Sequence, residues 1–415
     1  MDADKLPAQM IVQDFERLAE DITNAYETGD AETIRRIERH FGVEHPLTWE
    51  EVGKRVDERL GNLLKPPSDR QDRKLASADT QFLIARQYGF ENWPTFTAHV
   101  EALADPSSNV SQFEAAIEAI ITGDADTIER LLREKPELIQ SRSTRVHGAT
   151  LLHYVGANGV EDYRQKTPKN IVGIAELLLR TGSEVDAVAP VYGGTTTLGL
   201  VATSVHPWLA GVQEPLMKIL LDHGADLEGA VAPDYIRGNV VNACLANGRG
   251  AAASFLAQRG AALNLEGAAG VGRLDVVQSF FTEDGSLKAT ATRAEMEAGF
   301  QWACEYGHNR VVEFLVDRGV DLRAGEKTDL TGLHWAAAGG QIRTIKLLLE
   351  RGAPLEALNV YGGTVLGQAL WSAYNGDPDI DYAATIETLI EAGARIDVYP
   401  EMKGFVDAVL QGKHR

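Results

Sequence analysis

Thirteen residues of the chain, 153–165, carry His153, Tyr154, Glu161, Tyr163, Arg164 and Gln165. Asn158 lies among them, and His206 and Trp208 follow. Tyr235, Arg237 and Asn242 come further on. Imidazoles move protons near neutral pH, and a guanidinium fork grips a carboxylate or phosphate. Gathered in one pocket, these groups suit a carboxylate, a phosphate or a sugar-like ligand. Hydrolase- or isomerase-type acid–base work is the catalytic version of that reading. The plain alternative is that the same groups satisfy one another, as buried polar groups must. We take that alternative as the leading expectation and assign no catalytic residue.

Other chemistry is thin. The sequence has no G-x-S-x-G elbow, no H-E-x-x-H and no G-x-x-x-x-G-K-[ST] phosphate loop. The glycines of GAAGVGR at 267–273 stand in the order G-x-x-G-x-G, which is not the dinucleotide spacing. Asp377, Asp379 and Asp381 alternate like the start of a calcium loop. Tyr382 and Thr388 then occupy the places of its glycine and its glutamate. Cys244 and Cys304 are the only cysteines, far apart, and read as buried small residues. Neither a metal nor a cofactor is expected.

The elements that hold these residues repeat. AELLLRTGSEVDA at 175–187 is echoed by MKILLDHGADLEG at 217–229 and ASFLAQRGAALNL at 253–265. VEFLVDRGVDLRA at 312–324, IKLLLERGAPLEA at 345–357 and IETLIEAGARIDV at 386–398 continue the series. Apolar residues at i, i+1 and i+4 make a buried helical stripe, and the Gly after the last turn supplies a left-handed cap. LDVVQSFFTEDGSLKA at 274–289 is a degenerate copy, with Gly285 in the marker place. The step from Gly319 to Gly352 is 33 residues, a period of stacked helix pairs. The 25 residues from Gly260 to Gly285 leave almost no room for an extended finger near 261–267.

TGLHWAAAGG at 331–340 and TLLHYVGANG at 150–159 lie close to the T-P-L-H-x-A signature. With LLLERGAPLEA, they make residues 113–398 resemble the ankyrin-repeat family. The YGGT phrases at 192–195 and 361–364 resemble its bacterial members. The resemblance implies an all-α helical repeat solenoid of about eight helix pairs with short β-turn fingers. It implies non-catalytic binding of a protein partner on a concave face of finger tips and inner helices. Carried onto this sequence, that face offers Asn158, Asn247, Glu305, Tyr306, Trp371 and Tyr374, with Tyr192 and Tyr361 on fingers. The signature His survives as His153 and His334. Gly199, Asn242, Glu266 and Gly367 stand near its place elsewhere, and those repeats are expected to be softer. Insertions at 160–170, 205–215 and 375–385 enlarge three repeats. Pro168 and Pro215 read as helix starts, with Thr167 as a cap. Trp335 reads as packing between helices.

The first hundred residues depart from the pattern. Residues 12–41 read as two amphipathic helices around Gly29-Asp30, and 80–105 as a short helical pair. A charged linker is expected at about 63–79. The expected organisation is a helical N-terminal module at 1–105, an array at 106–398 and a capping helix at 399–415. Acidic residues number 60 against 40 basic ones, a formal charge of −20. That balance argues against nucleic acid and acidic membranes as partners. The sequence shows no secretory leader, so a cytoplasmic location is expected.

Overall fold

The computed structural model describes residues 3–7, 9–41, 54, 75–232, 239–325, 330–377, 380–397 and 403–410. Among them the chain is all-α, and β-structure is limited to isolated bridges. It divides into two compact units, Met1–Ala232 and Pro233–Arg415.

In the first unit, α1 (Val12–Thr28) and α2 (Ala31–Phe41) meet at Gly29. Its φ of 67° lets its N–H reach Ala25 O at 3.0 Å, a turn that a side chain would strain. Asp30 opens α2 by accepting from Thr33 N at 2.8 Å. α3 (Ser77–Gln87) and α4 (Trp93–Leu103) join α1 around an aromatic core. Phe15 meets Phe96 edge-on at 4.8 Å. The linker expected at 63–79 lies outside the described residues as far as 74, and Ser77 already belongs to α3.

The repeats of this unit have an inner row and an outer row. The inner row runs through α5 (Asn109–Thr122), a 3-10 turn at Leu151–Gly156 and α8 (Thr197–Thr203). The outer row has α6 (Ala125–Glu134), α7 (Ile171–Arg180) and α10 (Gln213–Asp222), with the short α9 (Val205–Leu209) inserted before α10. The inner element at 151–156 is a 3-10 turn, and Ala157 leaves it at φ 45°. Gly156 also lies so close that a Cβ there would stand 3.0 Å from Leu200 Cβ. Two expected helix starts are corrected. α7 begins at Ile171 with Asn170 before it, and the Thr167 hydroxyl has no partner. Pro215 is the third residue of α10 rather than its first.

The second unit stacks five pairs. They are α11 (Val240–Ala246) with α12 (Gly250–Gln258), α13 (Leu265–Gly270) with α14 (Leu274–Ser279), and α15 (Arg293–Glu305) with α16 (Asn309–Asp317). α17 (Gly332–Ala338) with α18 (Ile342–Glu350), and α19 (Val365–Asn375) with α20 (Tyr382–Glu391), complete the row. A last helix, α21 (Lys403–Leu410), packs on α20 and buries Val406. Small residues face one another between inner helices, among them Ala269, Ala303, Ala336 and Ala369, all fully buried. Leu265, Leu315, Ile345 and Leu348 fill the seam towards the outer helices, each burial worth roughly 1.5–3 kcal/mol. Only residues 261–264 separate Gly260 from α13, so the finger is missing there.

Candidate functional site

The 160–170 insertion folds onto α5. That helix buries Phe113, Ala116, Ile117 and Ile120, and its pitch brings Glu114 and Glu118 to one side, a turn apart. Arg145 arrives from the finger between the bridged residues Arg142 and Thr150. The finger is tied to the turn after α3 by Val146 N, which donates to Gly89 O at 2.9 Å. Arg145 lies over the Phe90 ring, 5.3 Å from its centroid. Its NH1 donates to Glu114 Oε1 at 2.6 Å, and its Nε stands 2.9 Å from Glu161 Oε1. Arg164 reaches Glu114 Oε2 at 2.6 Å, Glu118 Oε1 at 3.0 Å and Glu161 Oε1 at 3.2 Å. Tyr154 donates to Glu161 Oε2 at 3.3 Å, and His147 Nε2 lies 3.5 Å from Glu161 Oε1.

Two guanidinium groups therefore face two buried carboxylates, with Glu118 at the edge. Burial alone would raise the Glu161 carboxyl. The adjacent His147 imidazole and the charges of Arg145 and Arg164 outweigh it and hold the group far below the usual carboxylate range. Glu114 is likewise lowered, because Arg145 and Arg164 overcome its burial. Both arginines are held charged against burial by the same carboxylates. Such a set is balanced as it stands, and removing one member would strand a charge.

Of the residues expected to form a small-ligand pocket, Tyr154, Glu161, Tyr163 and Arg164 come together here. Arg164 stacks 5.2 Å from the Tyr163 ring centroid. Gln165 secures the insertion, donating to Val160 O at 2.9 Å and Asp162 Oδ1 at 3.1 Å. His153 serves as a cap: its Nδ1 accepts from Thr150 N at 3.1 Å, and burial lowers its pKa to about 4. His206 and Trp208 are half-buried on α9. Asn242 is fully buried on α11 of the second unit, and Tyr235 and Arg237 lie outside the described residues. Sequence reasoning missed Glu114, Arg145 and His147. Their separations from the insertion hid them, and Glu114 reads as a solvent-facing residue in an apolar helix.

The residues expected on a concave face differ. Tyr192, at φ 53° on its finger, donates to Asn158 Oδ1 at 3.0 Å, and Asn158 donates to Thr203 Oγ1 at 3.1 Å. In the second unit, Asn247 folds back onto Ala243 O at 2.8 Å. Tyr306 on the end of α15 passes over α13 and donates to Leu245 O of α11 at 3.3 Å. Its ring fills the space beside Gly250. Trp335 lies against Trp302, 5.5 Å between centroids. Trp371 and Tyr374 on α19 and Tyr361 on the last finger are 61%, 76% and 83% exposed. Glu305 is half-buried, its Oε2 is enclosed without a hydrogen-bond partner, and burial pushes its pKa up to about 8. Asp381, in the last insertion, caps α20 by accepting from Ala384 N at 3.1 Å. No group of His, Cys, Asp and Glu suited to a metal occurs among the described residues. No helix among them is long and apolar enough to cross a membrane.

The family model described as ankyrin repeats (three copies) matches residues 265–359 and 300–399. The human ASB11 ankyrin repeat domain is a similar solved structure at 19% identity, covering 68% of this chain and 98% of that one, with a TM-score of 0.34. No curated protein matches the chain. The family model's match spans residues 265–399, where the helix pairs of the second unit lie. Ankyrin repeats generally mediate protein–protein binding.

Proposed function

We propose that the chain is a non-catalytic scaffold that recognises a protein partner on the concave face of its repeats. The observation that carries this reading is the exposure of Tyr361, Trp371 and Tyr374 on one repeat of the second unit. Large exposed aromatics are the anchors that interfaces favour. The engagement of Arg164 by three carboxylates supports protein binding over a small-ligand pocket in the first unit. The cluster there acts as a clasp that fastens the insertion and the first finger to α5. The two cysteines are buried thiols, which suits the reducing cytoplasm.

The test is a partner isolated with the full chain, then titrated against variants. Trp371→Ala and Tyr361→Ala should each weaken binding at least tenfold, and Arg343→Ala on the outer helix α18 should not. Equal affinity for all three would remove the concave reading.

A further inference from the structure

An asparagine followed by glycine can react with itself. The glycine nitrogen attacks the side-chain amide carbon, unhindered because glycine carries no Cβ. Three such pairs occur in the chain, Asn158–Gly159, Asn247–Gly248 and Asn375–Gly376. The fold treats them differently. Asn158 is held at both ends of its amide. Its Oδ1 accepts from Tyr192 at 3.0 Å and its Nδ2 donates to Thr203 Oγ1 at 3.1 Å, while Gly159 is buried. Asn247 is half-buried, and its Nδ2 donates to Ala243 O at 2.8 Å. Gly248 N donates to Leu245 O at 3.0 Å and Arg249 N to Cys244 O at 2.8 Å. Residues 247–249 join α11 directly to α12, so opening that turn pulls on two packed helices.

Asn375 is exposed at the last position of α19. Its Nδ2 donates to Trp371 O at 3.0 Å, and Gly376 N donates to Ser372 O at 2.7 Å. Both bonds belong to one terminal turn, the part of a helix that opens most readily. Gly376 is exposed and already extended, at φ −89° and ψ −163°. Residues 376–381 then intervene before α20 begins. The Tyr382 hydroxyl braces the turn from outside: it stands against Gly376 and donates to Ala338 O at 3.0 Å. Fraying of this single turn releases the amide and the nitrogen together.

We propose that Asn375–Gly376 is a self-modification site that ages the aromatic end of the second unit. Gly376 N gives its proton to a solvent base and bonds to Asn375 Cγ. The Cγ–Nδ2 bond breaks, the departing nitrogen takes up a proton and leaves as ammonia, and a succinimide ring closes. Water opens the ring at either carbonyl and leaves aspartate or isoaspartate. Water is the sole co-reactant. The product carboxylate has no N–H for Trp371 O. It also sets a negative charge at the C-terminal end of α19, where the helix dipole disfavours it. Asp377 and Asp381 follow closely in sequence and add to that repulsion. The last turn, which carries Trp371 and Tyr374, loosens as a result.

The experiment incubates the folded full chain at neutral and mildly alkaline pH in water enriched in heavy oxygen. Digestion at mildly acidic pH and mass spectrometry then follow the three Asn-Gly peptides, with a denatured sample as the scale of the unconstrained chemistry. Asn375 should convert first, at least about tenfold faster than Asn158 or Asn247. Each product should carry one heavy oxygen, and the rate should rise with pH. Asn375→Gln, whose longer side chain closes a ring far more slowly, should stay intact. Asn375→Asp, which stands for one product, should exchange the amides of the last turn of α19 severalfold faster than Asn375→Gln. Equal rates at all three pairs would mean that the reaction waits for unfolding. An inert Asn375 beside a converting denatured sample would mean that the Tyr382 brace keeps the turn shut. Either result overturns the proposal, as does a lead by Asn158 or Asn247, and equal exchange in the two variants overturns the loosening.

Discussion

The insertion cluster of the first unit and the inner-helix row of the second invert the usual expectation. The first gathers arginines, carboxylates, histidines and tyrosines, and every charge in it meets a partner within its own unit. The second is a plain repeat surface, yet it holds an acid whose buried oxygen accepts nothing and three aromatic rings in solvent. Density of chemical groups is thus a poor guide to function here. Buried atoms without a hydrogen bond occur in both, Arg145 Nε and His147 Nε2 in the first and Glu305 Oε2 in the second, so exposed aromatic rings are the clearer difference.

The sharpest way to break this comparison is Arg164→Ala. It leaves Glu161 and Glu114 buried with one arginine between them, and should cost the first unit about 3–5 kcal/mol. Urea denaturation followed by circular dichroism reads it. A loss below about 1 kcal/mol would mean that the cluster is wet and open, and would return it to the candidates for ligand binding.

Trp371→Ala should do the opposite. Its side chain is exposed, so stability should move by no more than about 0.5 kcal/mol. Partner affinity should fall by about 2 kcal/mol, measured by titration calorimetry. A fall in melting temperature of several degrees would instead make the indole a packing residue.

The two regions should also answer to pH with opposite sign. Glu305 is raised in the folded chain, so folding takes up a proton between the ordinary carboxylate range and about pH 8. Its contribution to stability is present at low pH and fades as pH rises through that window, by about 1–2 kcal/mol given its partial exposure. Glu305→Gln should remove the slope. In the first unit, Glu161 and Glu114 are lowered, so their contribution is full above the usual carboxylate range and lost as pH falls. His99 and His153 are lowered from 6.5 to about 4 by burial. They also cost stability as pH falls from 6.5 towards 4, because the unfolded chain takes the protons first. Hydrogen exchange, followed separately for peptides of each unit, resolves the two slopes. Parallel slopes would refute the contrast.

The smallest effect is expected at Tyr192→Phe, which deletes the bond to Asn158. About 0.5–1 kcal/mol should go, seen as faster local exchange in that finger.

Much of the fold was legible because a stacked repeat restates its instructions. The glycine-ended helical phrase, the Gly29 turn and the missing finger near 261–267 all follow from local spacing. The helix start at Ile171 was not legible, since Thr167 and Pro168 mimic a cap while the chain needs three more residues to return from the insertion. The ion cluster was half legible. Glu161 and Arg164 sit together in sequence, but Glu114 is 50 residues from Arg164 and 31 from Arg145. Glu305 was visible as an inner-helix position before the glycine. Its lack of a partner depends on Gly270 and Ala338 in neighbouring repeats, which no local pattern encodes.

Tyr306 has a mechanical meaning. In a linear stack each repeat holds only its neighbours, and the array can come apart one unit at a time. The pair α13 and α14 is so shallow that Tyr306 reaches across it to Leu245, linking second neighbours. Under tension from its two ends, the stack should therefore resist peeling at its thinnest rung. The rungs on either side are stitched over it, and the three should give way together.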